Sequence, residues 1–299
     1  TMREELPGVA VLRNAASEEV RGYAAGPAKL DLELDLDPDL AQLIAHDPDG
    51  FFSAFDRDET LGFAACHIRS RQWVMSELWV LPQHRGRGAG EAMLARALAH
   101  GERSGAKEYL AIVPAEGSIQ SLMLRHGFHH VSPVWALEMD GSSAAETGAA
   151  LSRLLPAQDV TTELLQRRGQ ADLDRIDRLT RNVTREVDHI YWLKERHFRV
   201  AVVRQGQRIA AYGYGSAVQV GPVAGTTPES TLCALGWAMQ LAAERRPAGP
   251  IRLLVPGRFD NAVEALLEAG ARLTSTFGLF GRDLQPNLAR YCPGTLCLP

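Results

Sequence analysis

The apolar positions of the chain fall into short runs whose period switches in a fixed order. Leu61–Ile68 (LGFAACHI) and Trp73–Leu81 (WVMSELWVL) are dense apolar stretches of strand length, and they predict two neighbouring strands. From Ala89 to Ser104 the period becomes helical, with Met93, Leu94, Ala97 and Leu98 sharing one face. Tyr109–Pro114 (YLAIVP) predicts a further strand. Ser118 is placed to cap a short helix with Ile119, Leu122 and Met123 on its apolar side, and Gly127 to end it. The first half thus reads strand, helix, strand, helix.

The same order returns later. Ile209–Ala217 (IAAYGYGSA) and Val218–Thr226 (VQVGPVAGT) predict strands, a helix follows near Glu229–Arg245, then the strand Ile251–Pro256 and a helix near Asp260–Ala269. A constant offset of 143, as in 223 − 80, sets Val80 on Val223, Leu98 on Leu241, Ala111 on Leu254, Met123 on Leu266 and Gly127 on Gly270. Such agreement points to a duplicated domain. Between the copies, Gly141–Asp159 (GSSAAETGAALSRLLPAQD) is small, polar and weakly patterned at its start. It predicts a linker at 141–157 between one domain at 1–140 and another at 158–299. Ile209–Pro228, the longest uncharged run, carries four glycines and two prolines, so it reads as two buried strands and a turn rather than a membrane span. Arg181–Trp192 (RNVTREVDHIYW) mixes charge with aromatics, as a ligand-facing or a domain-interface helix does.

Composition narrows the partners. The chain has 299 residues, 45% hydrophobic and 23% charged, which suits two ordinary globular domains. A net charge of -4 lacks the basic footprint of a nucleic-acid binder, so small molecules or proteins are the expected partners. The four cysteines include no C-x-x-C pair, which fits a reduced compartment, and Cys292 and Cys297 have no further ligand types beside them, so no metal is expected. The opening stretch MREELPGVAVLRNAA is charged where a signal peptide would be apolar. A cytoplasmic protein without membrane attachment is expected.

The chemistry concentrates at Leu81–Leu94 (LPQHRGRGAGEAML), where a strand end runs through two arginines and three glycines into a helix. A helix N-terminus offers free backbone N–H groups and a favourable dipole to an anion. Glycines let a phosphate approach the main chain and allow torsions that other residues resist. No Walker lysine-serine pair is present, and no early dinucleotide-binding unit.

In this context Leu78–Pro82 followed by Arg85, Gly88 and Gly90 resembles the acetyl-CoA motif of the GCN5-related N-acetyltransferases. The likeness extends upstream to His46–Phe52 (HDPDGFF) and Leu61–Ala65, and downstream to Leu124–Phe128 (LRHGF). It implies an α/β (α+β) fold of two tandem acyl-CoA N-acyltransferase domains, each a mixed, mostly antiparallel sheet flanked by helices. By the same resemblance, the main chain of Gly86, Arg87, Gly88, Ala89, Gly90 and Glu91 wraps the pyrophosphate, with Arg85 adding charge. Leu78, Trp79 and Val80 pair with the pantetheine arm as another strand would. The implied reaction is direct attack of an amine on the thioester, with a main-chain N–H near Val80 stabilising the oxyanion. Glu77 is the nearest carboxylate that can take the amine proton; its alternative reading is a solvated or arginine-paired strand-end acid.

Two positions depart from the family pattern. Met123 stands where a tyrosine commonly protonates the leaving thiolate, and Glu116 where an asparagine commonly contacts the cofactor. Ser118, Ser121 and His126 are the nearby groups able to act through water, and each also fits a cap or an exposed helix position. In the second copy the offset places Pro228, Glu229, Thr231 and Cys233 on Arg85, Gly86, Gly88 and Gly90. An amide donor is lost, a carboxylate enters and the glycines are gone, so this copy is expected to bind no CoA and to support the first.

Ala28–Leu40 (AKLDLELDLDPDL) alternates Asp31, Glu33, Asp35, Asp37 and Asp39 with apolar residues. An extended conformation gathers these acids on one face, either as a rim that attracts a cationic amine or as a solvated edge. The acceptor that the resemblance implies is a small-molecule or peptide amine, a cationic one if the acids form such a rim, on a monomer or homodimer. The competing readings are a non-catalytic acyl-CoA sensor and an acetyltransferase resembling the two-domain mycothiol synthases.

Overall fold

A computed structural model describes residues 38–57, 59–155, 160–161 and 167–299. Their contacts divide into two compact units.

The first unit reaches to Val131 and takes in Gly278–Leu284. Helix α1 (Pro38–His46) leads into an antiparallel meander of β1 (Phe51–Asp56), β2 (Glu59–Arg69) and β3 (Gln72–Val80). Helix α2 (Ala89–Arg103) crosses over to β4 (Glu108–Pro114), which runs parallel to β3, and α3 (Gly117–Arg125) follows. Met93, Leu94, Ala97 and Leu98 are all buried, as the helical period requires. Leu94, Leu98 and Met123 pack with Trp73, Met75 and Phe128 in one core, while Leu40, Ile44, Phe63, Ala65 and Trp79 form a separate one. Asp47 of the stretch His46–Phe52 accepts two bonds from the Arg69 guanidinium, at 2.9 and 3.0 Å, and so ties the chain ahead of β1 to the end of β2.

β3 changes phase partway along. Trp73 and Met75 belong to the core under α2, yet Trp79, an even step further, belongs to the other. The cause is a bulge: Ala65 pairs Glu77 and Cys66 pairs Met75, leaving Ser76 as the extra residue. Glu77 is thereby turned onto the face of Trp79.

The second unit comprises Ser132–Phe277 and Gln285–Pro299. In chain order it holds most of β5 (His129–Asp140), then α4 (Gly141–Ser152), β6 (Val160–Thr161), α5 (Arg167–Arg181), α6 (Glu186–Lys194) and β7 (Arg199–Gln205). β8 (Arg208–Gly215), β9 (Gln219–Gly225), α7 (Pro228–Arg245), β10 (Pro250–Pro256), α8 (Asp260–Glu268), most of β11 (Arg272–Arg282) and β12 (Tyr291–Cys292) follow. Its sheet order is β5-β10-β9-β8-β7-β6, with β10 antiparallel to β5 and parallel to β9.

The duplication is visible in matched positions. Val80 ends β3 as Val223 sits in β9, Met123 and Leu266 are both wholly buried in equivalent helices, and Gly127 and Gly270 leave those helices at φ 80° and 86°. Two sequence expectations give way here. The stretch read as a linker is helical over Gly141–Ser152, because its small residues are a packing surface: Ala144, Gly148 and Leu151 are buried at helical spacing. A Cβ on Gly148 would come within 2.5 Å of the Gly236 carbonyl oxygen on α7, so the two helices approach as closely as glycine permits. The units also divide at Val131/Ser132 rather than at 140, since β5 pairs with β10 while the end of β11 lies in the first unit.

Candidate functional site

The parallel pair β3 and β4 is hydrogen-bonded only from Gln72↔Glu108 to Met75↔Ala111. β3 continues to Val80 and β4 to Pro114, so beyond the Ser76 bulge the strands part and leave a gap in the sheet. Among the described residues the β3–β4 ladder has no pair beyond Met75↔Ala111. Parted parallel strands leave room between them, and strand edges pair readily with an extended polar chain, so this gap suits one.

The loop that closes the gap is built by local rules. Pro82–His84 makes a single 3-10 turn, and His84 contacts Glu59 of β2 at 2.9 Å. Arg85 Nε donates to the Val80 carbonyl at 3.1 Å, folding the arginine back over the strand end. Gly86 and Gly88 then adopt φ of 73° and 87°, a left-handed conformation that side chains disfavour. Gly88 is the N-cap of α2, and the first intrahelical bond runs from the Ala92 N–H to its carbonyl at 2.9 Å. The amides of Ala89, Gly90 and Glu91 therefore have no acceptor inside the helix. Arg87 is exposed alongside them. Gly90 differs from the other two, since a Cβ there would lie 3.5 Å from Val80 Cγ2, an ordinary contact. The Glu91 carboxylate, an acid in an anion site, faces Arg125 at 3.6 Å and His126 at 3.7 Å at the end of α3.

Glu77 is buried at 4% exposure and accepts a hydrogen bond from the Trp79 indole N–H. It is thus not a solvated strand-end acid. Leu78 and Val80 are half-buried, and Leu78 packs with the core under α2. Sequence reasoning missed a pair beside them: His67 Nδ1 and Ser76 Oγ lie 2.8 Å apart, both buried, so the extra residue of the bulge is bonded to β2. The adjacent polar pair Ser76 and Glu77 in the otherwise apolar WVMSELWVL was the available signal.

Met123 is wholly buried among apolar side chains and can donate no proton. Ser118 bonds the Glu116 carboxylate at 3.2 Å and does not cap α3, which starts at Gly117 without any side-chain cap. Ser121 is exposed. Asp39 sits in the first turn of α1, buried, and not on an extended edge, because Pro38 starts a helix there. Asp31, Glu33, Asp35 and Asp37 lie outside the described residues.

The second unit has the same elements and a closed counterpart of the loop. Thr227 and Ser230 form a reciprocal capping box at the start of α7, and Thr231 Oγ1 donates to the Thr227 carbonyl at 2.7 Å. The counterparts of Gly88 and Gly90, Thr231 and Cys233, are buried. Within Arg181–Trp192, the residues Arg181, Arg185, Asp188, His189, Tyr191 and Trp192 are all buried. Asp177 accepts from Tyr212 at 2.6 Å, lies 2.8 Å from His189 Nε2 and 3.4 Å from Arg185 Nε, and is itself wholly buried. All four cysteines are buried and none is in a disulfide, and burial pushes the Cys66 thiol up to about 12. Among the described residues there is no group of acids, histidines and cysteines arranged for a metal, and no helix long and apolar enough to cross a membrane.

Residues 16–128 match the model of the Acetyltransferase (GNAT) family. No curated protein matches the chain by sequence. Among solved structures the chain is similar to a protein of Pyrococcus horikoshii assigned provisionally as an acetyltransferase, at 16% identity and a TM-score of 0.74, covering 99% of this chain and 93% of that one. A GCN5-related N-acetyltransferase of Sphaerobacter thermophilus aligns at 17% identity and 0.61, over 95% and 94% of the two chains. A tandem GNAT protein from the clavulanic acid biosynthesis pathway aligns at 14% identity and 0.55, over 93% and 95%. At these identities the likeness is one of fold.

Proposed function

Because residues 16–128 match the model of the Acetyltransferase (GNAT) family, we propose that the first unit moves an acetyl group from acetyl-CoA to a primary amine of a small molecule or peptide. The observation that carries the reading is the gap between β3 and β4 beyond Met75 and Ala111, which ends at the left-handed Gly88 and the free amides of α2. The gap takes the pantetheine arm along Leu78–Val80, and the α2 amides with Arg85 and Arg87 take the pyrophosphate. The amine attacks the thioester carbon, the C–N bond forms, the C–S bond breaks, and the sulfur leaves as a thiolate or thiol.

An alkyl amine with a pKa near 10.4 must first lose a proton, and Glu77 is the buried carboxylate beside the gap able to receive it. A thiol pKa of about 8.5 lets the thiolate leave without a dedicated acid, which accommodates Met123. Glu77→Gln is expected to lower kcat about 10²-fold at neutral pH and to flatten the acid limb of the pH–rate profile. An unchanged profile would remove Glu77 from the role. Ser76→Ala, which deletes the bond to His67, is expected to destabilise the first unit by about 1–2 kcal/mol and to raise KM for acetyl-CoA more than it lowers kcat. Urea titration and steady-state kinetics read the two effects, and Ser76→Thr is expected to restore both.

The buried Met123 favours a second reading, a non-catalytic acyl-CoA sensor. Thiol release from acetyl-CoA against a panel of amines, cationic ones included, separates them: binding with turnover supports the enzyme, binding without turnover supports the sensor. Failure of CoA to bind the intact chain sinks both. The second unit supports the first in this reading, in a cytoplasmic monomer or homodimer.

A further inference from the structure

The second unit has its own parting of parallel strands. β9 and β10 pair only at Gln219↔Arg252 and Val220↔Leu253, although β9 continues to Gly225 and β10 to Pro256. Here the edge of β9 is taken: Tyr291 pairs with Ala224 and Cys292 with Val223, in antiparallel register. Val223 is the counterpart of Val80, the residue that in the first unit has no such neighbour among the described residues. We infer that Tyr291–Pro299 is the resident occupant of the second unit's strand gap, holding the place that CoA takes in the first, so that the chain binds a single CoA.

The segment is seated as a ligand would be, by main chain, apolar burial and charge together. After the two paired residues, the chain crosses β9 so closely that a Cβ on Gly221 would come within 2.3 Å of the Pro293 carbonyl oxygen. Gln219 Nε2 donates to the Gly294 carbonyl. Tyr291, Cys292, Cys297 and Leu298 are each 3% exposed or less. Arg185 donates to the Tyr291 hydroxyl at 3.0 Å and to the Pro299 carbonyl at 2.9 Å, and Arg181 donates to both acceptors as well. Ahead of β12, Arg290 donates to the Thr226 carbonyl at the entrance to α7. Loss of the loop glycines alone would weaken a phosphate site and leave an open gap in the sheet, but here β12 and the residues after it lie along the β9 edge.

The inference rests on the reading of the first unit as a CoA site, and the experiment keeps the two apart. Calorimetric titration with CoA is expected to give one site per intact chain and none per Gly88→Asp chain. Hydrogen exchange on the intact chain is expected to show slow amides at Tyr291–Cys292 without CoA, unchanged at saturating CoA, whereas exchange within Leu78–Val80 slows further when CoA is added. A CoA site surviving in the Gly88→Asp chain, or CoA altering exchange at 219–225 or loosening 291–299, overturns the inference and leaves the first-unit reading standing. If the intact chain binds no CoA, the first-unit reading falls. The exchange rates then decide alone: fast amides at Tyr291–Cys292 overturn the resident segment, and slow ones uphold it.

Discussion

Replacing Gly88 by aspartate is expected to weaken acetyl-CoA binding by at least about 10³-fold while leaving the first unit folded. The two halves of that expectation have separate causes. At φ 87° any side chain carries a backbone cost of about 1–2 kcal/mol, yet a Cβ there meets nothing within 4 Å, and aspartate tolerates this region and is among the best N-cap residues. The helix therefore keeps its start. Binding suffers because a carboxylate would stand at the head of the free amides of Ala89–Glu91, where the pyrophosphate is to sit, so the site's attraction for anions becomes repulsion. Gly88→Ala separates geometry from charge and is expected to cost only about tenfold. Calorimetry measures the affinities and a thermal melt checks the fold. An aspartate variant that binds acetyl-CoA like the parent would show that this turn does not hold the phosphates.

The left-handed turn at Gly86 and Gly88 was readable in the sequence because glycine at a strand-to-helix turn has a conformational meaning visible without coordinates. The main elements were readable for a similar reason: Met93, Leu94, Ala97 and Leu98 mark one helical face, and the structure buries that face. What escaped has a physical explanation in each case. Trp73–Val80 is apolar on both sides of the sheet except at Ser76 and Glu77, so its sequence carries no clear phase, and that polar pair is the one mark of the bulge that turns Glu77 over. Gly141–Ser152 looks like a linker because the residues that let α4 lie against α7 are the small ones that also suit flexible chain. Pairing of β5 with β10 and of β12 with β9 joins residues more than a hundred and more than sixty positions apart, and no local pattern encodes such partners. The network around Asp177 was half visible, since Arg181–Trp192 stood out as charged and aromatic, but its burial depends on Tyr212, Tyr214 and Tyr291 arriving from elsewhere.

Asp177→Asn is expected to destabilise the second unit by about 3–5 kcal/mol at neutral pH, lowering its calorimetric transition by on the order of 10 °C. Burial alone would raise the Asp177 carboxyl, but the Arg185 guanidinium and His189 hold it well below the ordinary carboxylate range, so it stays ionised with no exposure to water. Removing its charge strands the Arg185 guanidinium, also wholly buried, beside neutral hydroxyls and a carbonyl. The pH dependence follows from the direction of the shift. A carboxyl lowered in the folded state contributes stability that is complete above the unfolded value of about 3.9 and is lost as pH falls below it toward the folded value. The parent is therefore expected to lose stability steeply below about pH 4, and the asparagine variant to lack that component of the slope. Arg185→Met added to Asp177→Asn removes the stranded charge along with its partner and is expected to recover at least half of the loss, a coupling that a double-mutant cycle measures. Because Arg185 also holds Tyr291 and Pro299, the double variant distinguishes two sources of the stability. If it is no more stable than Asp177→Asn, the damage lies in the undocked segment; if it recovers, the stranded charge of the broken ion pair caused most of the loss.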